Sequence, residues 1–364
     1  MITEHSVYIG ASQHMTHTED NSIDLVVTSP PYPMIEMWDD IMSKQNHRIA
    51  DKLEENPEDA FELMHQELDK VWKECFRVLK VGGFICINIG DATRTINGNF
   101  ALYNNHSRIS KACVDLGFVG LPNIIWRKQT NAPNKFMGSG MLPCGAYVTL
   151  EHEWILIFRK GGKREFKKAD EKLSRMKSSF FWEERNVWFS DIWDVKGTKQ
   201  KMRKDSSRER SAAYPFEVPY RLINMFSQKG DMVLDPFLGT GTTMQAAILL
   251  GRNSCGYEID PEFETIIREG IDKLDIDMCN NLIKNRFDAH KEFIANRKAS
   301  GKEIKHFNET LNCEVMTNQE KEIELNYIES ISEDKNTGAY MVKYENRSDL
   351  TTLPFSHTLF KKAN

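Results

Sequence analysis

Short apolar strand-like runs alternating with amphipathic helical segments predict an α/β fold: a mostly parallel sheet with helices on both faces. Three observations carry this. Residues 23–27 (Ile-Asp-Leu-Val-Val) form the apolar, β-branched run that a buried strand uses. Between residues 58 and 79, Leu68, Val71, Trp72, Cys75, Phe76 and Leu79 recur at the spacing of one buried helix stripe, which Gly82-Gly83 stops. Residues 84–89 and 232–235 then repeat the strand signature, and each run leads into a glycine-containing turn.

Taken in order, the first 17 residues are mixed and polar, unlike a signal peptide or an Arg-rich presequence. The first clear element is the strand at 23–27. It ends abruptly in Thr28-Ser29-Pro30-Pro31-Tyr32-Pro33, and a polar, poorly patterned insertion follows to about Pro57. After the strand at 84–89, Gly90-Asp91 turns the chain out, a helix-like segment reaches Gly117, and residues 123–126 and 153–158 read as two further strands. Strand-and-helix logic resumes at 232–250, with another short strand at 254–258. From Pro261 to about Ser300 the pattern is polar and helical. Residues 327–346 read as a β-hairpin turning at Asp334-Lys335-Asn336-Thr337-Gly338, with no role assigned to that tail.

Composition narrows the classes of function. A chain of 364 residues, 40% hydrophobic and 28% charged, supports two or three domain-sized units with a substantial core. No run approaches the roughly 18–20 apolar residues that cross a bilayer. Seven scattered cysteines without a CxxC pair suit reduced thiols in a cytoplasm better than a disulfide framework or a cysteine zinc site. The net charge of −5 conceals a basic stretch: residues 159–210 hold 17 Lys or Arg against 9 Asp or Glu, a local +8. Phe180, Phe181, Trp182, Trp188, Phe189 and Trp193 lie among those charges. Basic residues interleaved with aromatics are the footprint expected for nucleic acid, but also that of a solvated face over a small aromatic core.

Residues 235–243 (Asp235-Pro236-Phe237-Leu238-Gly239-Thr240-Gly241-Thr242-Thr243) follow a strand and open a helix, the usual ligand position in open α/β sheets. A phosphate loop would need a lysine after Gly241, and a dinucleotide loop a third glycine where Met244 stands. What remains is a loop for a nucleoside without a pyrophosphate. Glu258, at the end of the following strand, can accept both ribose hydroxyls, and S-adenosylmethionine suits the set. A plain strand–turn–helix is the structural alternative.

In the first turn, prolines hold Ser29 and Pro30 extended, so that the Ser29 side chain and the Pro30 carbonyl can accept hydrogen bonds in a cleft. An amino group conjugated to a base ring is a poor nucleophile, and two acceptors for its hydrogens favour a pyramidal nitrogen with a free lone pair. Tyr32 would stack on a base turned out of the duplex. An isolated proline-stiffened loop is the bland alternative.

Taken together, Thr28-Ser29-Pro30-Pro31-Tyr32 and, about 200 residues later, the 235–243 loop resemble the amino-methylating DNA methyltransferases of the β arrangement. There the catalytic half precedes the cofactor half and target recognition lies between them. Further stretches agree in order: 77–83, 88–91, 125–128, 152–156, 214–223 and 256–260. The resemblance implies a Rossmann-like S-adenosylmethionine-dependent methyltransferase fold. Its parts would be a catalytic half over 1–158, a basic target-recognition region over 159–212, a cofactor half over 213–270, and a C-terminal extension over 271–364 of unknown role.

Residue by residue, the resemblance places Ser29, Pro30, Pro31 and Tyr32 at the target base. Asp235, Pro236, Phe237, Gly239, Gly241, Thr242 and Thr243 would form the cofactor pocket, with Glu258 on the ribose and Pro215 and Phe216 near the methionine end. Trp126, Lys128, Lys196, Lys199, Lys201, Arg203 and Lys204 would face double-stranded DNA at a short specific site. A cognate restriction endonuclease is the implied partner, with no membrane, a cytoplasmic location, and a monomer or homodimer. Two departures stand out. Gly10 is followed by Ala11-Ser12, where the family often has Gly-Asp. Ser29 replaces the aspartate of the commoner adenine-type motif and so resembles cytosine N4 enzymes, leaving adenine N6 as the alternative. A fainter likeness over residues 32–38 is to enzymes that modify CTAG.

Rival readings are weaker. Pro143-Cys144 lacks the surroundings of a C5-cytosine nucleophile, and His14 and His17 lack further metal ligands. Sulfonium transfer needs no metal. A protein-glutamine methyltransferase would want Asn in place of Ser29, and a DNA-binding module without catalysis would not need both motifs intact.

Overall fold

The computed structural model describes residues 1–128, 148–196 and 214–346. Along the chain its strands are β1 (Ile2–Ile9), β2 (Ile23–Thr28), β3 (Leu79–Ile89), β4 (Ala92–Ile96), β5 (Asn99–Tyr103), β6 (Phe118–Gly120), β7 (Ile124–Arg127) and β8 (His152–Lys160). There follow β9 (Ile192–Trp193), β10 (Met232–Asp235), β11 (Asn253–Glu258), β12 (His306–Asn308), β13 (Cys313–Val315), β14 (Asn326–Glu333) and β15 (Tyr340–Asn346). The helices are α1 (Asp39–Gln45), α2 (Arg48–Glu55), α3 (Pro57–Val78), α4 (Asn105–Asp115), α5 (Ala169–Lys177) and α6 (Trp182–Trp188). After them come α7 (Glu217–Phe226), α8 (Thr242–Leu249), α9 (Glu262–Asp272) and α10 (Ile276–Ala299).

One large sheet runs in the order β14-β15-β1-β11-β10-β2-β3-β8-β7-β9, with β6 also pairing with β8. Its centre, from β1 through β11, β10 and β2 to β3, is parallel. Every residue of β2 is buried, as expected of a strand covered on both faces. Side-chain alternation splits the core in two. Val26, Ile85 and Ile87 pack with Leu68, Val71, Trp72 and Cys75 of α3. Leu25, Val27 and Cys86 pack on the other face with Leu222 and Ile223 of α7 and with Ala246 and Ala247 of α8. The α3 stripe forms as its spacing predicts. Asn56 caps the helix by accepting from the Asp59 N–H, and Pro57 occupies the first turn, where its missing N–H costs nothing.

Three stretches depart from the sequence reading, and a fourth goes beyond it. The polar N-terminus is β1, whose alternating exposure suits a strand with a covered and an open side. The insertion before Pro57 is helical, as α1 and α2, which bury only Met42 and Ile49 fully and so show little apolar pattern. Residues 92–103 form the β4–β5 hairpin rather than helix, which begins only at Asn105. The C-terminal hairpin forms as expected and also joins the main sheet, β15 running antiparallel to β1.

Three of the six aromatic residues of the basic stretch are core, Phe180 and Trp182 are half-buried, and Phe189 is exposed. Phe181 is fully buried, and Trp188 and Trp193 are nearly so. Phe181 stacks on His290 of α10 at 3.9 Å, and Arg286 of α10 donates both to Glu184 Oε1 (2.6 Å) and to Glu184 Oε2 (2.8 Å). The segment thus docks on the C-terminal helix, which the local sequence could not reveal. Among the described residues, six cysteines are free and no helix is long and apolar enough to cross a membrane.

Breaking that docking pair leaves the mostly buried Glu184 carboxylate with the Phe181 N–H but without its countercharge. Arg286→Ala is expected to lower stability by about 3–5 kcal/mol, read as a shift in the urea unfolding midpoint. A change within experimental error would show that the pair contributes nothing.

Candidate active site

The central strands β10 and β2 are neighbours, but their onward connections diverge, β10 leading to β11 on one side and β2 to β3 on the other. That is a topological switch point, where a crevice opens at the carboxyl ends of the strands. Residues 29–32 follow β2 and residues 236–243 follow β10, so the fold brings the two predicted segments side by side.

Asp235 joins them directly. Its Oδ1 accepts from Thr28 Oγ1 at 2.6 Å and from the Phe237 N–H at 3.0 Å, and its Oδ2 accepts from Thr243 Oγ1 at 2.5 Å. Burial pushes the Asp235 carboxyl up to about 6, against the opposing pull of Thr243, Thr28 and the Phe237 N–H. Tyr214 hydrogen-bonds to Thr243, drawing Pro215 and Phe216 to the same side. Burial first, and the charge of Asp235 next, raise that phenol well above the ordinary tyrosine range.

The glycine loop takes a shape that side chains resist. Gly241 is the residue before α8, with φ +83°, and Gly239 has φ +54°; both lie in the left-handed region. Glu258, buried at the end of β11, accepts from the Gly239 N–H and the Asp260 N–H, each at 2.9 Å. Gly10, the site of one departure from the family pattern, donates its N–H to the Glu258 carbonyl. Phe237 leans edge-on to Trp72 of α3. A loop with two left-handed glycines, a carboxylate at its rim and the Phe237 ring beside it are groups that fit a nucleoside carrying a cationic sulfonium.

On the other side of the crevice, the Tyr32 ring lies over Gly90, where a Cβ would come within 3.0 Å of it. Asn105 fixes the turn by donating to the carbonyls of Pro33 (3.1 Å) and Gly90 (3.0 Å). The Tyr32 hydroxyl donates to Glu153 Oε2 at 3.0 Å and lies 3.2 Å from Ser29 Oγ. Burial, then the charge of Glu153, keeps this phenol protonated, far above its ordinary range. Asn88 Nδ2 donates to Glu153 at 2.7 Å and to Tyr32 at 2.8 Å.

Two residues expected at DNA have partners within the chain. Trp126 is 2% exposed and donates its indole N–H to the Val195 carbonyl, so its ring is core. Lys128 forms an ion pair with Glu153 and lies 4.9 Å over the Trp126 ring. Lys196 is exposed, whereas Lys199, Lys201, Arg203, Lys204 and Cys144 lie outside the described residues. The His17 ring stacks on Tyr8, and among the described residues no group of three potential metal ligands gathers. Sequence reasoning gave no role to Thr28, Asn88, Tyr214 or Glu153. The available signal was a carboxylate at the start of the apolar strand 153–158, which a covered strand tolerates only with partners.

Comparison with known proteins agrees with this architecture. Residues 23–269 match a family profile described as DNA methylase, of the N6/N4 methyltransferase type. The Type II methyltransferase M.MthZI of Methanothermobacter thermautotrophicus is 51% identical over 92% of this chain and 94% of its own. M.MjaI of Methanocaldococcus jannaschii, also a Type II methyltransferase, is 52% identical over 74% of this chain and 91% of its own. A putative DNA modification methylase from Thermus thermophilus, solved with S-adenosyl-L-methionine, superposes with a TM-score of 0.57 at 32% identity, covering 73% of this chain and 92% of that one. The cytosine-N4-specific PvuII DNA methyltransferase shares the fold at 18% identity, with a TM-score of 0.51 over 73% of this chain and 86% of its own. The chain belongs to the N6/N4 DNA methylase family of S-adenosylmethionine-dependent methyltransferases.

Proposed function

We propose that this enzyme methylates the N4 amino group of cytosine at a short duplex site, with the target base turned out of the helix. The observation that carries this reading is the hydrogen bond from Thr28 to Asp235, which sets Ser29 beside the glycine loop. Bound S-adenosylmethionine supplies an electrophilic methyl group on a sulfonium. Ser29 Oγ and the Pro30 carbonyl would accept the two amino hydrogens, favouring a pyramidal nitrogen whose lone pair is free to face that methyl group. Tyr32 borders the base, because the amino nitrogen cannot meet the methyl donor inside the stack. Serine rather than aspartate at position 29 favours cytosine over adenine. The order of the two segments supports the β arrangement, with functional parts at 1–158, 159–212, 213–270 and 271–364. The Type II designation of the relatives supports a cognate restriction endonuclease as partner.

Methylation of genomic DNA in vitro, followed by mapping and mass spectrometry of the modified nucleoside, tests the reading. N4-methylcytosine at one short site is expected, with CTAG the first sequence to compare; N6-methyladenine would overturn the cytosine assignment. Ser29→Ala should leave cofactor affinity near normal and lower turnover by about a hundredfold, and unchanged turnover would remove the acceptor role. Glu258→Ala should weaken cofactor binding in calorimetry, and an unaltered Kd would refute the ribose contact.

Asp235 gives the pH dependence. Acidification neutralises the carboxylate and removes its attraction for a sulfonium, so cofactor affinity should be full above about 6 and fall as pH drops through that value. Asp235→Asn should bind more weakly, with a flat profile. For DNA, replacing Lys196, Lys199, Lys201 and Lys204 with Ala should flatten the salt dependence of affinity. An unchanged slope would place the DNA-facing surface elsewhere.

A further inference from the structure

Counting hydrogens around Ser29 gives a role to Glu153. The inference rests on the reading that Ser29 accepts from the target amino group, which requires the serine hydrogen to point away from the base. The phenol of Tyr32 has one hydrogen, donated to Glu153 Oε2 at 3.0 Å. An ionised carboxylate is the strongest acceptor within its reach. Asn88 Nδ2 gives hydrogen bonds to the Tyr32 oxygen and to the same carboxylate oxygen, and rotating that amide by half a turn would set oxygen against oxygen. In the 3.2 Å contact between Ser29 Oγ and Tyr32, the phenol hydrogen is already committed. Ser29 must be the donor there; Asn88 Nδ2 lies 3.4 Å from the same oxygen and can occupy one of its two lone pairs, which leaves the other for the ligand.

The other oxygen of Glu153 carries the Lys128 ammonium, and the carboxylate itself is only 7% exposed. A carboxylate paired with an ammonium in this way accepts hydrogen bonds and has none to donate.

We propose that Glu153 sets the hydrogen-bond polarity of the target pocket. Its acceptor-only carboxylate, held by Lys128, draws the Tyr32 hydrogen, Tyr32 draws the Ser29 hydrogen, and Ser29 is left as an obligate acceptor toward a base bearing an amino group. Glu153 is a positioning residue and a determinant of specificity. A base with a carbonyl oxygen in place of the amino group meets acceptor against acceptor and is refused.

Glu153→Gln tests this, because the amide keeps the size of the side chain while its NH2 can donate to Tyr32 and reverse the chain. The probes are the mapped duplex and the same duplex with the target base changed to its carbonyl counterpart, uracil for cytosine or hypoxanthine for adenine. The wild type should prefer the amino-bearing duplex in equilibrium binding, and Glu153→Gln should reduce that preference by about tenfold. Single-turnover rate should fall while cofactor Kd stays fixed. Glu153→Asp, still acceptor-only, should retain the preference. Tyr32→Phe, which keeps the ring over Gly90 and breaks the chain, should lose it, and carries the test if Glu153→Gln fails to fold. A preference undiminished in Glu153→Gln, or in Tyr32→Phe if that variant carries the test, would overturn the proposal, whatever happens to the rate. Ser29→Ala in the same assay separates the failures. If it turns over normally, the acceptor reading of Ser29 is at fault; if it collapses while Glu153→Gln discriminates as wild type, only the role of Glu153 is lost.

Discussion

The active site depends on one buried carboxylate held by three donors. Asp235 takes hydrogen bonds from the end of β2, from its own loop and from the first turn of α8. Such a group is costly to bury alone, and each donor offsets part of that cost while fixing a different piece of chain. Thr28 brings the Ser29 turn, the Phe237 N–H shapes the loop entrance, and Thr243 anchors the helix with Tyr214 behind it. The segments concerned lie about 200 residues apart in sequence, and the sheet's switch point supplies the crevice they share.

Much of this was legible in the sequence because the signals were local. The strand at 23–27, the α3 stripe, the glycine loop and the terminal hairpin each announce themselves by period or by turn residues, and all four form. What failed was non-local. Strand β1 has only a short alternation, so it reads as polar chain until β11 and β15 flank it. The short helices α1 and α2 bury too little to print a stripe.

Aromatic residues were the most misleading signal. Phe181 and Trp188 sit in a basic stretch, but their surroundings are set by α10, more than 90 residues downstream, through Arg286 and His290, whereas Trp193 packs with Trp126 and α7. Trp126 shows the same limit, for its neighbour Lys128 turns toward the pocket while the indole turns into the core. The site itself was half legible. The two turns could be read as motifs, whereas Glu153 and Asn88 gain meaning only once β8 lies against β3.

The pairing of β1 with β11 and β15 also bears on how the molecule is made. Strand β1 is flanked in the sheet by residues 253–258 and 340–346, which are synthesised long after it. Until those are synthesised, its backbone N–H and C=O groups have no ladder to join, and an open strand edge is a template for unwanted pairing. Closure of the nascent sheet on that side must therefore wait until residues 340–346 have been made.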